Sequence, residues 1–106
     1  MEKDMIARMW RASSTVAKAD DYVRHATDQV FPSLDRIEGH RGAYLLRRTF
    51  GETVEIVILT LWDSMEAIRK FAGAEAERAV VEPEAQAALS TFDDWVTHFD
   101  VVHRPK

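Results

Sequence analysis

The stretch Thr60-Leu61-Trp62-Asp63-Ser64-Met65-Glu66-Ala67-Ile68-Arg69-Lys70-Phe71-Ala72-Gly73 constrains the fold more than any other part of this chain. A strand-like apolar run ends on a tryptophan and passes directly into a helical pattern. Asp63 followed three residues later by Glu66 reads as a capping box, and Gly73 closes the last turn. The Trp62 indole is thus expected at a seam between sheet and helix. The strand feeding that seam, residues 54–62, is apolar on both faces. Ile56, Ile58 and Trp62 point one way, while Val57, Leu59 and Leu61 point the other. A sheet built on it needs cover on both sides.

The remaining segments supply the partners. Residues 5–11 read as a first strand, broken by Ser13, Ser14 and Thr15. From Thr15 the spacing of Ala19, Tyr22, Val23, Ala26 and Val30 predicts an amphipathic helix, and Pro32 either ends it or begins a separate short turn. Gly39-His40-Arg41-Gly42 is a turn, and residues 43–50 form a second strand. Gly51-Glu52-Thr53 makes that strand a hairpin with 54–62. A second helix spans about 64–72, with further helical segments over 74–81 and 84–89 on either side of Pro83, and a last strand over 95–102. The order is β-α-β-β-α-β, the ferredoxin-like α+β arrangement of a four-stranded antiparallel sheet with both helices on one face. Helices cover one face only. At roughly 25 cal/mol per Å² of apolar surface, several hundred Å² left bare would sacrifice many kcal/mol, so a homodimer with sheets packed face to face is expected.

With 106 residues, 46% hydrophobic and 30% charged, the chain is expected to form a single domain over 1–106 with its core over about 5–102. The net charge of -4 and the interspersed signs argue against a nucleic-acid partner. With no cysteine, thiolate catalysis and Cys-ligated zinc are excluded. No apolar run reaches membrane length and no signal-peptide core precedes the first strand, so no membrane partner and a cytoplasmic location are expected.

Met5-Ile6-Ala7-Arg8-Met9-Trp10-Arg11, the run from Gly39 to Arg48 and Leu59-Thr60-Leu61-Trp62-Asp63-Ser64-Met65-Glu66-Ala67-Ile68 together resemble the antibiotic biosynthesis monooxygenase family over nearly the whole chain. The resemblance implies a dimeric α+β barrel. It also implies oxidation of a planar aromatic or polyketide-like molecule by oxygen, with neither metal nor flavin. Trp62 matches the strand-end tryptophan of the quinone-forming members. Their asparagine four residues earlier corresponds to Ile58, and their tyrosine six residues later to Ile68. In the haem-degrading branch the helical tryptophan aligns with Phe71 and the iron-ligating histidine falls near Val81, so the resemblance supplies no haem ligand.

The chemistry-bearing candidates are few. Trp62 is expected to stack on a planar ligand and offer its indole N–H, or else to be a core anchor. Arg8, if it shares the helix-facing side with Ile6 and Trp10, is a cation in an apolar space that demands an acidic partner or an anionic ligand. His98 is the candidate for proton transfer, against the alternative of a solvent-facing strand histidine or one bonded to Asp100. Trp10, Tyr22, His25, Ile58, Ile68 and Phe71 are expected around the ligand. His40 and Arg41 lie in a glycine-flanked turn at a pocket mouth. Histidine spacing gives no metal site, and no cofactor is expected. The leading expectation is a monooxygenase in which Trp62 orients, Arg8 stabilises charge and His98 or His25 moves a proton. The alternatives are a non-catalytic small-molecule-binding or stress-associated barrel protein, or an isomerase, cyclase or dehydratase using His98 as base.

Overall fold

Residues 5–105 are described by a computed structural model of the chain. β1 (Met5–Thr15) leads into α1 (Val16–His25), a π-helical turn (Ala26–Val30) and α2 (Phe31–Leu34); β2 (His40–Phe50) and β3 (Thr53–Trp62) follow as a hairpin. Then come α3 (Met65–Ala72), α4 (Pro83–Ala87), the two-residue β4 (Thr91–Phe92) and β5 (Thr97–Val101). The sheet order is β2-β3-β1, with β4 and β5 both pairing the remaining edge of β1, and every pairing is antiparallel. The helices lie on one face, which is the ferredoxin-like α+β arrangement expected from the order of elements.

Polar residues do not end β1 where the sequence placed a break. Ser13, Ser14 and Thr15 stay in register opposite Glu55, Val54 and Thr53. They are tolerated because each hydroxyl has a partner: Ser14 Oγ donates to Ala88 O at 2.6 Å, Ser13 Oγ pairs with Thr91 Oγ1 at 2.6 Å, and Thr15 Oγ1 caps α1 by accepting from Lys18 N. At Pro32 the second alternative holds: the proline sits in the first turn of a separate short helix, α2. Pro32 has no N–H to donate, and the turn before it widens, so that Phe31 N–H reaches back five residues to Ala26 O before α2 continues to Leu34. That extra turn carries Val30, Phe31 and Leu34 over the sheet.

The seam after β3 also differs in detail from the sequence reading. Ser64, not Asp63, is the N-cap of α3, its Oγ accepting from Ala67 N at 3.1 Å. Asp63 instead accepts a forked pair from Arg41, with Nε at 2.7 Å and Nη2 at 2.8 Å. Residues 74–81 are not helical. Ala79 N donates to Asp94 O and Val96 N to Glu77 O, which pins the segment to the β4–β5 connection. The carbonyls of Ala76 and Arg78 are meanwhile taken by the Arg8 guanidinium rather than by a following turn. The last strand begins at Thr97, with His103 beyond its end.

Alternation along the paired strands sorts the side chains. Ile6, Arg8, Trp10, Ala12 and Ser14 of β1, with Val54, Ile56, Ile58, Thr60 and Trp62 of β3, face the helices. Two clusters form there. Tyr22, Ala26, Val54, Ile56 and Ala85 make one, and Leu34, Trp62, Ala67, Ile68 and Ala76 the other. The opposite face carries Ala7, Val57, Leu59 and Leu61 beside Tyr44, Leu46, Phe50 and Phe99, the last four about half exposed.

Candidate functional site

Between the helices and the sheet, bridging the two clusters, lies a cavity of about 150 Å³. Its floor is Arg8 and Trp10 from β1 with Ile58 and Thr60 from β3. Tyr22 and His25 from α1, Phe31 and Leu34 from the extended helix, and Phe71 from α3 close over it. The irregular segment before α4 supplies Val81 and Glu82 at one side. The lining is largely aliphatic and aromatic, with a few polar groups converging on it, as ligand sites commonly are.

Arg8 faces the helices, as the β1 alternation requires, and is only 5% exposed. Of the two expected partners, an acidic side chain or an anionic ligand, the first is not found: among the described residues no carboxylate lies within ion-pair distance. The charge is held by Ala76 O and Arg78 O (2.9 Å), and by the face of Phe71 with 5.6 Å between guanidinium carbon and ring centre. Burial pulls the guanidinium down to about 10, with Glu77 opposing, so Arg8 remains a cation at neutral pH. His98 sits beside it on β5, opposite in register, with Nε2 3.1 Å from Arg8 Nη1. Arginine can only donate, so Nε2 accepts and the imidazole is neutral with its proton on Nδ1. Burial, and then repulsion from Arg8, hold His98 below the ordinary histidine value, partly offset by Glu77. Its Nε2 meets Arg8 rather than Asp100.

Tyr22 and His25 stand across the cavity one turn apart. Burial pushes the Tyr22 phenol upward, so it stays protonated, and its hydroxyl has no hydrogen-bond partner among the described residues. His25 Nε2 is buried and lies 3.3 Å from Glu82 Oε1 without hydrogen-bond geometry. Trp10 lines the floor, tilted against Tyr22 with ring centres 6.1 Å apart, but its N–H is already donated to Asp93 O at 2.8 Å.

Trp62 and Ile68 do not reach the cavity. Both are fully buried behind it, because β3 ends and α3 begins where the two elements press together. The Trp62 indole stacks on Phe71 (6.0 Å, 21° between planes) and meets His40 edge-on at 4.9 Å. Its N–H donates to Thr60 Oγ1 at 2.8 Å, so no ligand oxygen is free to receive it directly. His40 and Arg41 lie on the far side of Trp62, with His40 Nδ1 3.2 Å from Asp35. The sequence reading missed Thr60, although its place between Ile58 and Trp62 on an inward face marked it as a polar side chain needing a partner. It missed Phe31 and Leu34 as well, because a short turn at Pro32 gave no sign of which way its side chains would face. Among the described residues no group of three metal-ligating side chains occurs.

The antibiotic biosynthesis monooxygenase family model matches residues 5–83, which span β1 through the start of α4. The chain belongs to this family. No curated protein matches it in sequence. Among solved structures, a Bacillus cereus antibiotic biosynthesis monooxygenase candidate is similar with a TM-score of 0.68 at 16% identity, covering 96% of this chain and 97% of that one. The haem-degrading protein MhuD of Mycobacterium tuberculosis, solved with two haems in its active site, is similar with a TM-score of 0.60 at 20% identity over 95% and 99%. The ActVA-Orf6 monooxygenase of Streptomyces coelicolor, in complex with nanaomycin D, gives 0.58 at 21% over 96% and 88%. These likenesses are of fold, and family members on this fold do different chemistry. Against the haem-degrading precedent, Phe71 and Val81 line this cavity where the resemblance would look for tryptophan and an iron ligand.

Proposed function

We propose that this family member is a cofactor-independent monooxygenase that oxidises a planar aromatic small molecule with molecular oxygen. The observation carrying the reading is Arg8, a buried cation with no described carboxylate partner, on the floor of an aromatic-lined slot beside a neutral histidine. A hydroxyarene that loses its phenolic proton becomes electron-rich enough to react with oxygen at ring carbon. The balance is one hydroxyarene plus O2 giving one quinone plus water, with a ring C–H replaced by C=O and all four electrons drawn from the substrate. In this scheme His98 takes the phenolic proton on Nε2 after that atom turns from Arg8. Arg8 and the Thr60 hydroxyl hold the oxyanion, and the apolar walls exclude water. Trp62 acts through Thr60 and Phe71 as a positioning residue.

A second copy completes the particle. The half-exposed Tyr44, Leu46, Phe50 and Phe99 form a continuous apolar surface with Val57, Leu59 and Leu61, and a homodimer pairing these sheet faces is the proposed cover. Oxygen uptake with a panel of phenols and quinols, together with quinone absorbance, tests the reading. Arg8→Met is expected to lower turnover by about 10²–10³-fold, the range for loss of one oxyanion donor, and parental turnover in that variant would refute the scheme. The apolar Ile58 in the slot favours a second reading, a small-molecule-binding protein without turnover, which ligand binding with no oxygen uptake would identify.

A further inference from the structure

The cavity is small. At about 150 Å³ it matches the size at which an apolar protein cavity takes up benzene, and it falls below the roughly 300 Å³ at which pockets for larger ligands begin. Ile58 and Thr60 form its floor and Phe31 and Phe71 belong to its cover, and both ends of that cover are fixed. Phe71 is stacked on the fully buried Trp62, and the Phe31 side chain packs against both core clusters. A two-ring or larger plane would have to displace one of these.

The polar groups are as specific as the volume. Arg8 has five N–H groups. Nη1 serves Ala76 O and His98 Nε2, and Nη2 serves Arg78 O. The Nε–H and one Nη2–H have no partner among the described residues, and Nε with Nη2 is the edge by which Arg41 grips Asp63 elsewhere in the fold. Thr60 is similarly underused. It accepts from Trp62 at 2.8 Å, yet its own proton faces Arg8 O at 3.5 Å, the outer limit of a hydrogen bond. The donors left over at the Arg8 and Thr60 end of the cavity favour a ligand that places a negative oxygen there, while the Glu82 carboxylate and His25 Nε2 stand across from them.

We infer that the cavity binds a single-ring phenol as its phenolate, with the oxygen at Arg8 and Thr60 and the ring between Ile58 and Phe71, and that Ile58 sets the one-ring limit. The inference rests on the proposed function for the location of the site. It concerns binding, so its failure is separable from a failure of oxygen chemistry. The groups facing the bound oxygen are Arg8 and Thr60 from the sheet, with His98 bonded to Arg8 but not itself in the cavity lining; Tyr22 and His25 from α1, with Glu82 beside His25, face the far end of the ring.

The probe is 4-nitrophenol, whose anion alone is yellow, compared with the two-ring 4-nitro-1-naphthol, each titrated with the wild-type protein near neutral pH while the visible spectrum is read. The expected result is a rise in the yellow form on binding 4-nitrophenol and at least tenfold weaker binding of the naphthol. Ile58→Ala should tighten the naphthol relative to 4-nitrophenol by at least tenfold, because the space it opens serves the second ring and not the first. Arg8→Gln should abolish the colour shift, and Arg8→Lys should restore part of it, which separates charge from folding. Binding of colourless 4-nitrophenol, naphthol binding as tight as the phenol in the wild type, or indifference to Ile58→Ala would each overturn the inference. Correct binding with no oxygen uptake by any one-ring phenol carrying a free ring C–H would overturn the monooxygenase reading and leave this inference standing.

Discussion

Gly39→Ala is a demanding test of the seam that holds α3, and hence Phe71, against the cavity. Gly39 has φ +97°, and a Cβ built there lies 2.5 Å from Ala67 Cβ on α3. Two penalties follow. The left-handed backbone costs an L-residue about 1–2 kcal/mol. Relieving the collision means moving a packed helix by about 1 Å or more toward an ordinary carbon contact, for which overpacking costs about 1–3 kcal/mol. The sum is about 2–5 kcal/mol, or a fall in Tm of at least roughly 10 °C for a domain of this size. Gly51 is the internal control, with φ +62° and nothing within 4 Å of the added carbon, so Gly51→Ala should show only the backbone penalty. Urea and thermal unfolding at one fixed protein concentration measure both. Ala67→Gly in the Gly39→Ala background should recover about 1–3 kcal/mol relative to additivity, because it removes the collision and not the φ penalty. Equal losses for Gly39→Ala and Gly51→Ala, with no coupling to Ala67, would refute the close approach. Since Gly39 O also accepts Asp63 N–H at 2.8 Å, Gly39→Ala should also weaken 4-nitrophenol binding.

The remaining expectations concern other parts of the molecule. Trp62→Phe keeps a ring against Phe71 and His40 but loses the bond to Thr60 and part of the ring volume, so the urea midpoint should fall by the equivalent of about 1–3 kcal/mol. His40 and His98 are both held below the ordinary histidine value of 6.5, each first by burial. The unfolded chain therefore binds protons that the native state refuses, and stability is full above about pH 6.5 and declines as pH falls below it. The Asp20 carboxyl, depressed by Arg47, acts only below its ordinary value of 3.8 and stays out of this window. A urea midpoint constant from pH 7.5 to 5 would contradict the burial of both imidazoles. On the open sheet face, Leu46→Glu should convert the particle to a monomer by light scattering at micromolar concentration, and a parental that is already monomeric would sink the dimer proposal.

Composition and punctuation made the sheet legible, because β1, β2 and β3 are strand-like runs set between turn signals, and Gly51 marks the hairpin between β2 and β3. What the sequence hid was set by single tertiary bonds. Ser13 and Ser14 look like breakers until Thr91 and Ala88 O stand opposite them. Residues 74–81 have helical composition, but Arg8, far away in the chain, takes two of their carbonyls. Of the proposed site residues, Arg8, Trp10, Tyr22, His25, Ile58 and Phe71 do line one cavity, because strand alternation and helix periodicity determine which way they face. Trp62 and Ile68 were placed there by their nearness to the seam, a cue that does not distinguish the inner wall of a pocket from the core behind it. Phe31 and Leu34 depend on the π-helical turn, which no local propensity announces.

The most direct test of the account is a crystal structure with a one-ring phenol bound. The account predicts ring density between Ile58 and Phe71 with the phenolic oxygen within hydrogen-bond reach of Arg8 and Thr60. Density on the open sheet face, or a ring in the cavity whose oxygen turns away from Arg8 toward solvent, would contradict it.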